Sequence, residues 1–116
     1  MPMPFILDAH QDLAYNMTVL GRDYRLPNAQ TRLQDRKTGK NGSGGCSLLG
    51  LPESNVANAG LVFGTLFSIP ERRRDPKFEN EEYYSSIADA HRIYAMQLDL
   101  YHKLAETQSE IGRAHV

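Results

Sequence analysis

The stretch that decides the fold is Phe5-Ile6-Leu7-Asp8-Ala9-His10-Gln11-Asp12, close to the N-terminus. Its apolar beginning predicts a short β-strand over about residues 5–10. Because successive side chains of a strand alternate between its two faces, Asp8, His10 and Asp12 are expected on one side if the strand persists to Asp12, and the residues between them on the other. The sequence therefore predicts an imidazole and a carboxylate together at the carboxyl end of a strand.

A second apolar run, Gly60-Leu61-Val62-Phe63-Gly64-Thr65-Leu66-Phe67-Ser68-Ile69, predicts a strand over about residues 60–69. The run is apolar almost throughout rather than alternating, which is typical of a parallel strand buried on both faces. Gly64 within it indicates that another backbone or side chain comes close at this point.

The longest helix is predicted after these strands, over about residues 81–106. Asn80 has the side chain of an N-cap, and two glutamates follow it where the helix dipole favours carboxylates. Large side chains recur at steps of three and four, as expected of one buried face. These side chains are Tyr84, Ile87, His91, Tyr94, Leu98, Tyr101 and Leu104.

Shorter helices are predicted between the strands. Leu13, Met17 and Leu20 lie at helical spacing, and Gly21 would end that helix. Residues 29–37 predict one or two helical turns, residues 38–45 are a glycine-rich connection, and residues 53–59 predict a short helix. Parallel strands that alternate with amphipathic helices indicate the α/β fold class.

The composition limits the partners and the compartment. The chain has 116 residues, a formal net charge of −1 and one cysteine. A chain so near neutrality has no field that attracts nucleic acid or an anionic membrane. The longest apolar run is about half of the roughly 20 residues that a membrane-spanning helix needs, and the N-terminus lacks the basic residues of a secretory signal. One cysteine excludes an internal disulfide, so a cytoplasmic protein is expected.

His10 and Asp12 are the candidate site residues. A neutral imidazole nitrogen and a carboxylate oxygen are suitable ligands for zinc and similar divalent ions. Two ligands do not complete a site, since a catalytic zinc usually has three protein ligands and a water. The residues alone leave two interpretations open. One is a metal-binding strand end, and the other is a small non-catalytic α/β binding or interaction module in which both residues are structural.

A family resemblance adds to this interpretation. Ile6-Leu7-Asp8-Ala9-His10-Gln11-Asp12-Leu13 resembles the opening strand of the membrane (renal-type) dipeptidases, a family of zinc metallopeptidases in the amidohydrolase-like superfamily. Most of that superfamily has His-x-His here, whereas His-x-Asp followed by Leu points to the dipeptidases. Residues 58–70 resemble the second strand and its exit, and residues 97–105 the end of the helix that follows. Residues 21–27 are similar to a bacterial branch.

The resemblance implies the N-terminal portion of a (β/α)8 TIM barrel over residues 1–109, because a complete barrel takes roughly 250 residues. It implies that His10 and Asp12 bind one zinc ion of a two-zinc centre, with a bridging glutamate and further histidines expected downstream. Asp8 matches a frequent acid of the family and would orient a ligand. Tyr15 stands where many relatives have a tryptophan that lines the pocket, so it is expected to contact substrate.

The implied activity is hydrolysis of a dipeptide by a full-length enzyme, for which a homodimer is one expected assembly. The 116-residue chain alone is expected to be inactive. Residues 110–116 are predicted to be a non-native tail. The last six residues can be translated from ATC-GGA-AGA-GCA-CAC-GTC, which resembles a sequencing adapter.

Overall fold

A computed structural model describes residues 4–39, 45–78 and 81–108, and its architecture is mixed α/β, as predicted. Single turns of 3-10 helix span Glu71–Arg73 and Pro76–Phe78. The predictions for Asn80, for most of the glycine-rich connection and for residues 110–116 fall outside the described residues. The elements are β1 (Ile6–Gln11), α1 (Leu13–Leu20), α2 (Asn28–Thr38), α3 (Leu51–Val56), β2 (Ala59–Gly64), β3 (Ile69–Pro70), β4 (Tyr83–Tyr84) and α4 (Ile87–Thr107).

The first two strands pair in parallel, as the α/β prediction requires. Ile6 pairs with Ala59 and Gln11 with Gly64, and the register is irregular between Asp8 and Gln11. β2 ends at Gly64, whereas the sequence predicts a strand to residue 69. The prediction is wrong because β1 turns into α1 at this level, so that, among the described residues, no strand pairs with residues 65–68; Ile69 belongs to the separate pairing of β3 with β4.

The sheet is also more open than predicted. Leu7 on β1 is 55% exposed and Phe63 on β2 is 53% exposed, whereas the apolar run predicts burial on both faces. The described helices pack mainly elsewhere, since α1 contacts α4, α4 contacts β4 and α3 is the helix with most contacts to β2. Apolar side chains of both strands therefore remain on the surface of this chain.

The core lies between α1 and α4. Leu13 and Val19 of α1 are buried with Ile93 and Leu104 of α4. α1 ends at Gly21, whose φ of 66° is the left-handed conformation that glycine adopts without strain. This confirms the predicted end of the first helix.

The long helix begins later than predicted. α4 starts at Ile87, and its N-cap is Ser86, whose hydroxyl accepts a hydrogen bond from the Asp89 backbone N–H at 3.1 Å. The carboxylate of Asp89 in turn accepts from the Ser85 N–H at 3.2 Å. Tyr83 and Tyr84, predicted to be helical, instead form β4 and pair in parallel with β3.

The buried face of α4 differs from the predicted one as well. Ile93, Gln97 and Leu104 are its buried residues, whereas Ile87 is 91% exposed and Leu98 is exposed. The predicted face omits Gln97 because a polar residue does not mark an apolar stripe. The amide of Gln97 is nevertheless fully enclosed, and its hydrogen bonds, described below, account for that burial.

α2 is anchored by a buried ion pair that the sequence does not signal. The helix has 11 residues, three turns rather than the one or two predicted. Arg22 and Asp35 lie 3.0 Å apart between Nη2 and Oδ2, and both side chains are almost fully enclosed. The same guanidinium donates to the Gly45 carbonyl at 2.7 Å, and the Ser47 N–H donates to Asp35 at 3.1 Å. The pair thus joins the loop after α1 to α2 and to the chain that follows.

Within the described ranges, none of the helices combines the length and apolarity needed to cross a lipid bilayer.

Candidate metal centre

The candidate site lies where β1 turns into α1. β1 ends at Gln11, and Asp12 is the N-cap position of α1, with φ −87° and ψ 51°. This turn brings the side chains of His10 and Asp12 together, with 3.2 Å between Nε2 and Oδ2. The predicted pairing of imidazole and carboxylate at the strand end is therefore present in the structure.

Both side chains of the pair are accessible. The imidazole of His10 is 69% exposed and the side chain of Asp12 is 36% exposed. An exposed pair of this kind contributes less than about 1 kcal/mol to stability. The fold therefore gains little from the pair itself.

The second oxygen of Asp12 contacts the neighbouring strand. The Thr65 hydroxyl, just after β2, donates a hydrogen bond to Asp12 Oδ1. The Thr65 N–H donates to the Gln11 carbonyl at 3.0 Å, which continues the pairing of the two strands by one step. Asp12 thus has one oxygen toward Thr65 and the other toward His10.

Tyr101 of α4 joins the strand ends from the helix side. Its hydroxyl donates to the Thr65 carbonyl at 2.9 Å and accepts from the Ala14 N–H at 3.3 Å. Burial raises the pKa of the Tyr101 phenol above its ordinary value, and the charge of Asp12 adds to this effect. The tyrosine comes this close because Gly64 has no side chain in its way. The predicted close approach at Gly64 is confirmed.

Asp8 contacts the site through the main chain. Its Oδ1 accepts from the His10 backbone N–H at 3.0 Å, and its Oδ2 accepts from the Gln11 side-chain amide at 2.8 Å. The Gln11 hydrogen bond and then that of His10 hold the pKa of the Asp8 carboxyl below its usual value. Gln11 reaches Asp8 although strict alternation would put the two on opposite faces, because the strand is irregular between them. The role of Asp8 in orienting a ligand stays a prediction.

Tyr15 is enclosed in this chain. It is 7% exposed, and its ring packs edge-on against Phe67 with 5.0 Å between the centroids. Burial, with a smaller contribution from nearby Glu81, raises the pKa of the Tyr15 phenol. Among the described residues, no group lies in hydrogen-bonding geometry with the Tyr15 hydroxyl. Its predicted contact with substrate stays a prediction.

Gln97 fixes the segment that carries Phe67. Its side-chain oxygen accepts from the Phe67 N–H at 2.8 Å, and its amide nitrogen donates to the Phe67 carbonyl at 2.6 Å and to Glu82 at 3.0 Å. The Gln97 side chain thus forms the two main-chain hydrogen bonds of Phe67 that a neighbouring strand would otherwise form. Sequence reasoning missed Gln97, Thr65 and Tyr101 as supports of the site, and Gly64 is the signal that could have led to the last two.

The pair fits zinc as part of a ligand set. Two ligand atoms on a tetrahedral zinc, each about 2.0–2.1 Å from the metal, lie roughly 3.3 Å apart, close to the 3.2 Å between His10 and Asp12. In the part of the chain that the structure describes, no three histidine, cysteine or acidic side chains come together to hold a metal ion. The described donor set is therefore one nitrogen and one carboxylate oxygen.

Comparisons of the whole chain gave no match to a protein-family model, to a curated protein or to a solved structure.

Proposed function

We propose that this chain carries the first two ligands, His10 and Asp12, of the zinc centre of a dipeptidase of the membrane (renal-type) family. β1 and β2 would be the first two strands of its (β/α)8 barrel. The remaining ligands and the residues that act on the dipeptide would lie beyond residue 109. The observation that carries the proposal is an exposed imidazole and carboxylate, 3.2 Å apart at the carboxyl end of a parallel strand.

The surroundings of the pair support this assignment. Active sites of (β/α)8 barrels lie at the carboxyl ends of their parallel strands. β1 and β2 are parallel neighbours, and within the described residues they pair only with each other. Further strands would have free edges to pair with, and the exposed apolar side chains of both strands would be covered by further layers.

In the proposed site, the zinc ions would activate water and substrate, and the residues of this chain would hold the zinc. When bound, paired zinc ions lower the pKa of a water toward neutrality and polarise the carbonyl of the scissile bond. This chain would contribute His10 Nε2 and Asp12 Oδ2, which lie close enough together to bind the same metal ion. Asp8 holds the backbone at His10, and Thr65 holds the remaining oxygen of Asp12.

A structural role for the pair is the competing explanation, in a small non-catalytic module. The exposure of His10 favours the metal ligand over this alternative, because a residue that stabilises a fold is normally enclosed by it. The difference is measurable. A structural pair changes stability when it is removed, whereas a ligand pair changes the affinity for metal.

A zinc titration of the 116-residue chain, followed residue by residue by NMR, tests the ligand pair. The chain has four histidines, so the readout must resolve each ring. We expect the ring signals of His10 to shift before the other three, and His10→Ala or Asp12→Asn to remove that response. His91→Ala, a histidine on the exposed side of α4, is the matched control and should leave the response of His10 unchanged.

The activity is tested on the product of the gene when it is read beyond residue 109. Zinc-dependent hydrolysis of dipeptides is expected, and His10→Ala and Asp12→Ala should each abolish it. The 116-residue chain should show none. Turnover by the short chain, or a longer product whose activity survives both substitutions, would contradict the proposal.

A further inference from the structure

We infer that Thr65 is a positioning residue for Asp12: its hydroxyl holds one carboxylate oxygen so that the other stays directed at the volume it shares with His10. This inference rests on the proposed function, because it concerns the same ligand pair. It adds a residue that directly follows β2 to a site that the sequence places at the end of the first strand.

The contacts of Asp12 carry the inference. Its Oδ1 accepts the hydrogen bond of the Thr65 hydroxyl, while its Oδ2 lies 3.2 Å from His10 Nε2. A carboxylate with neither oxygen held can rotate about its last single bond, whose energy well is broad. The hydrogen bond to Oδ1 restricts that rotation. Since a hydroxyl carries no charge, it holds the carboxylate without competing with the metal ion for it, as a cationic side chain would.

The hydroxyl of Thr65 is separable from the contacts that build the fold. The main chain of Thr65 carries the structural bonds, because its N–H donates to the Gln11 carbonyl and its carbonyl accepts from Tyr101. The hydroxyl also lies 3.3 Å from the Gln11 carbonyl, a longer contact that duplicates the bond made by the N–H. Removal of the hydroxyl alone therefore leaves the joined strand ends in place.

Tyr101 and Gly64 determine where this hydroxyl lies. Tyr101 binds the Thr65 carbonyl at 2.9 Å from one side, and Gly64 lets its ring approach to that distance. The position of Thr65 relative to Asp12 is thus set by the helix as well as by the strand. Partners that hold a metal ligand in this way are typically worth about 10- to 100-fold in metal affinity.

The test uses the intact 116-residue chain and zinc alone. Thr65→Val removes the hydroxyl and keeps the shape of the side chain, and Thr65→Ser restores the hydroxyl. We expect zinc affinity, measured from the ring signals of His10 by NMR, to fall about 10-fold in Thr65→Val and to recover to within about twofold in Thr65→Ser. Thr18→Val is the matched control, since its hydroxyl donates a hydrogen bond within α1, to the Tyr15 carbonyl.

The outcomes separate this inference from the proposed function. Equal affinity in Thr65→Val and the unsubstituted chain overturns the inference and leaves the ligand pair standing. A chain whose His10 signals do not respond to zinc at all overturns both. The amide spectrum reports folding in the same samples. If Thr65→Val and Thr65→Ala both lose the folded spectrum, Thr65 belongs to the fold and the inference is wrong.

Discussion

Replacement of Gly64 by alanine tests whether Tyr101 packs against the end of β2 as closely as the structure has it. A Cβ on Gly64 would lie 2.7 Å from Tyr101 Cε1 and 2.8 Å from Cζ. Carbon atoms in contact normally lie about 3.5–4.0 Å apart. The ring is not free to move away, because its hydroxyl is bonded to Thr65 and Ala14.

The expected cost follows from these contacts. Gly64 is exposed and Tyr101 is half-buried, so the crowding should cost about 1 kcal/mol, the low end of what over-packing of a core costs. Displacement of the Tyr101 hydroxyl weakens hydrogen bonds worth about 1 kcal/mol each. Alanine lowers the conformational entropy of the unfolded chain relative to glycine, which stabilises the folded state by about 0.4–1 kcal/mol. The backbone of Gly64 is not in the left-handed region, so no further strain is added. We expect Gly64→Ala to lower the free energy of unfolding by about 1 kcal/mol.

Gly60 provides the matched control in the same strand. A Cβ there would meet the ring of Phe5 even more closely, but Phe5 is 64% exposed and its ring can swing into solvent. Gly60→Ala should therefore change the free energy of unfolding by less than about 0.5 kcal/mol. The distance alone would predict the opposite order for the two glycines.

Urea unfolding followed by circular dichroism gives these free energies. A double-mutant cycle with Tyr101→Leu isolates the contact, since the cost of Gly64→Ala should fall below about 0.5 kcal/mol once the ring is gone. If the cost of Gly64→Ala is the same with and without Tyr101, or if Gly64→Ala costs no more than Gly60→Ala, the packing argument is refuted.

Three further predictions concern buried polar groups. Gln97→Leu should cost about 2–4 kcal/mol in urea unfolding, because it leaves the N–H and carbonyl of Phe67 without partners. Asp35→Ala should cost about 3–5 kcal/mol in the same assay, because it leaves the charge of Arg22 buried and without its partner; a loss below 1 kcal/mol would contradict this. The pKa of Tyr15 is raised from 10.0, mainly by burial. Stability from that phenol is therefore present below about pH 10 and lost as the pH rises toward the raised value. Tyr15→Phe should make unfolding less sensitive to alkali, and an unchanged profile of stability against pH would contradict it.

The elements that the sequence predicts well are those with a local cause. An apolar run followed by Asp8, His10 and Asp12 marks both the first strand and its polar end. Gly21 ends α1 because its left-handed conformation suits glycine. Gly64 predicts a close approach because a missing side chain is itself a local signal. In each case the physical reason lies within a few residues of the feature.

The elements that the sequence predicts poorly depend on distant partners. β2 stops at Gly64 because of where β1 turns, and nothing within residues 60–69 records that turn. The predicted start of α4 is wrong for a different reason. Ser86 and Asp89 form a capping arrangement that can be read from the sequence, but Asn80 and the glutamates after it offer a competing start. The strand pairing of Tyr83 and Tyr84 with residues 69–70 decides between them.

The support around the candidate site shows the same division between local and distant causes. His10 and Asp12 can be identified from spacing on one strand, whereas Thr65 and Tyr101 lie more than 50 residues away along the chain. Nothing in the sequence near Thr65 or Tyr101 identifies either residue type as a support of the site. Only the glycine that precedes Thr65 hints that something must fit there.

The energetics of the strand end argue for a function beyond stability. His10 is exposed, and its replacement by alanine is expected to change the free energy of unfolding by less than about 1 kcal/mol. The residues that hold the backbone around His10 are expected to contribute more to the free energy of unfolding. Tyr101 alone bonds the Thr65 carbonyl and the Ala14 N–H, and its replacement by phenylalanine should cost about 1–3 kcal/mol. The backbone beneath the pair is thus held firmly while the pair itself contributes little to stability, and this contrast supports the proposal that His10 and Asp12 are metal ligands.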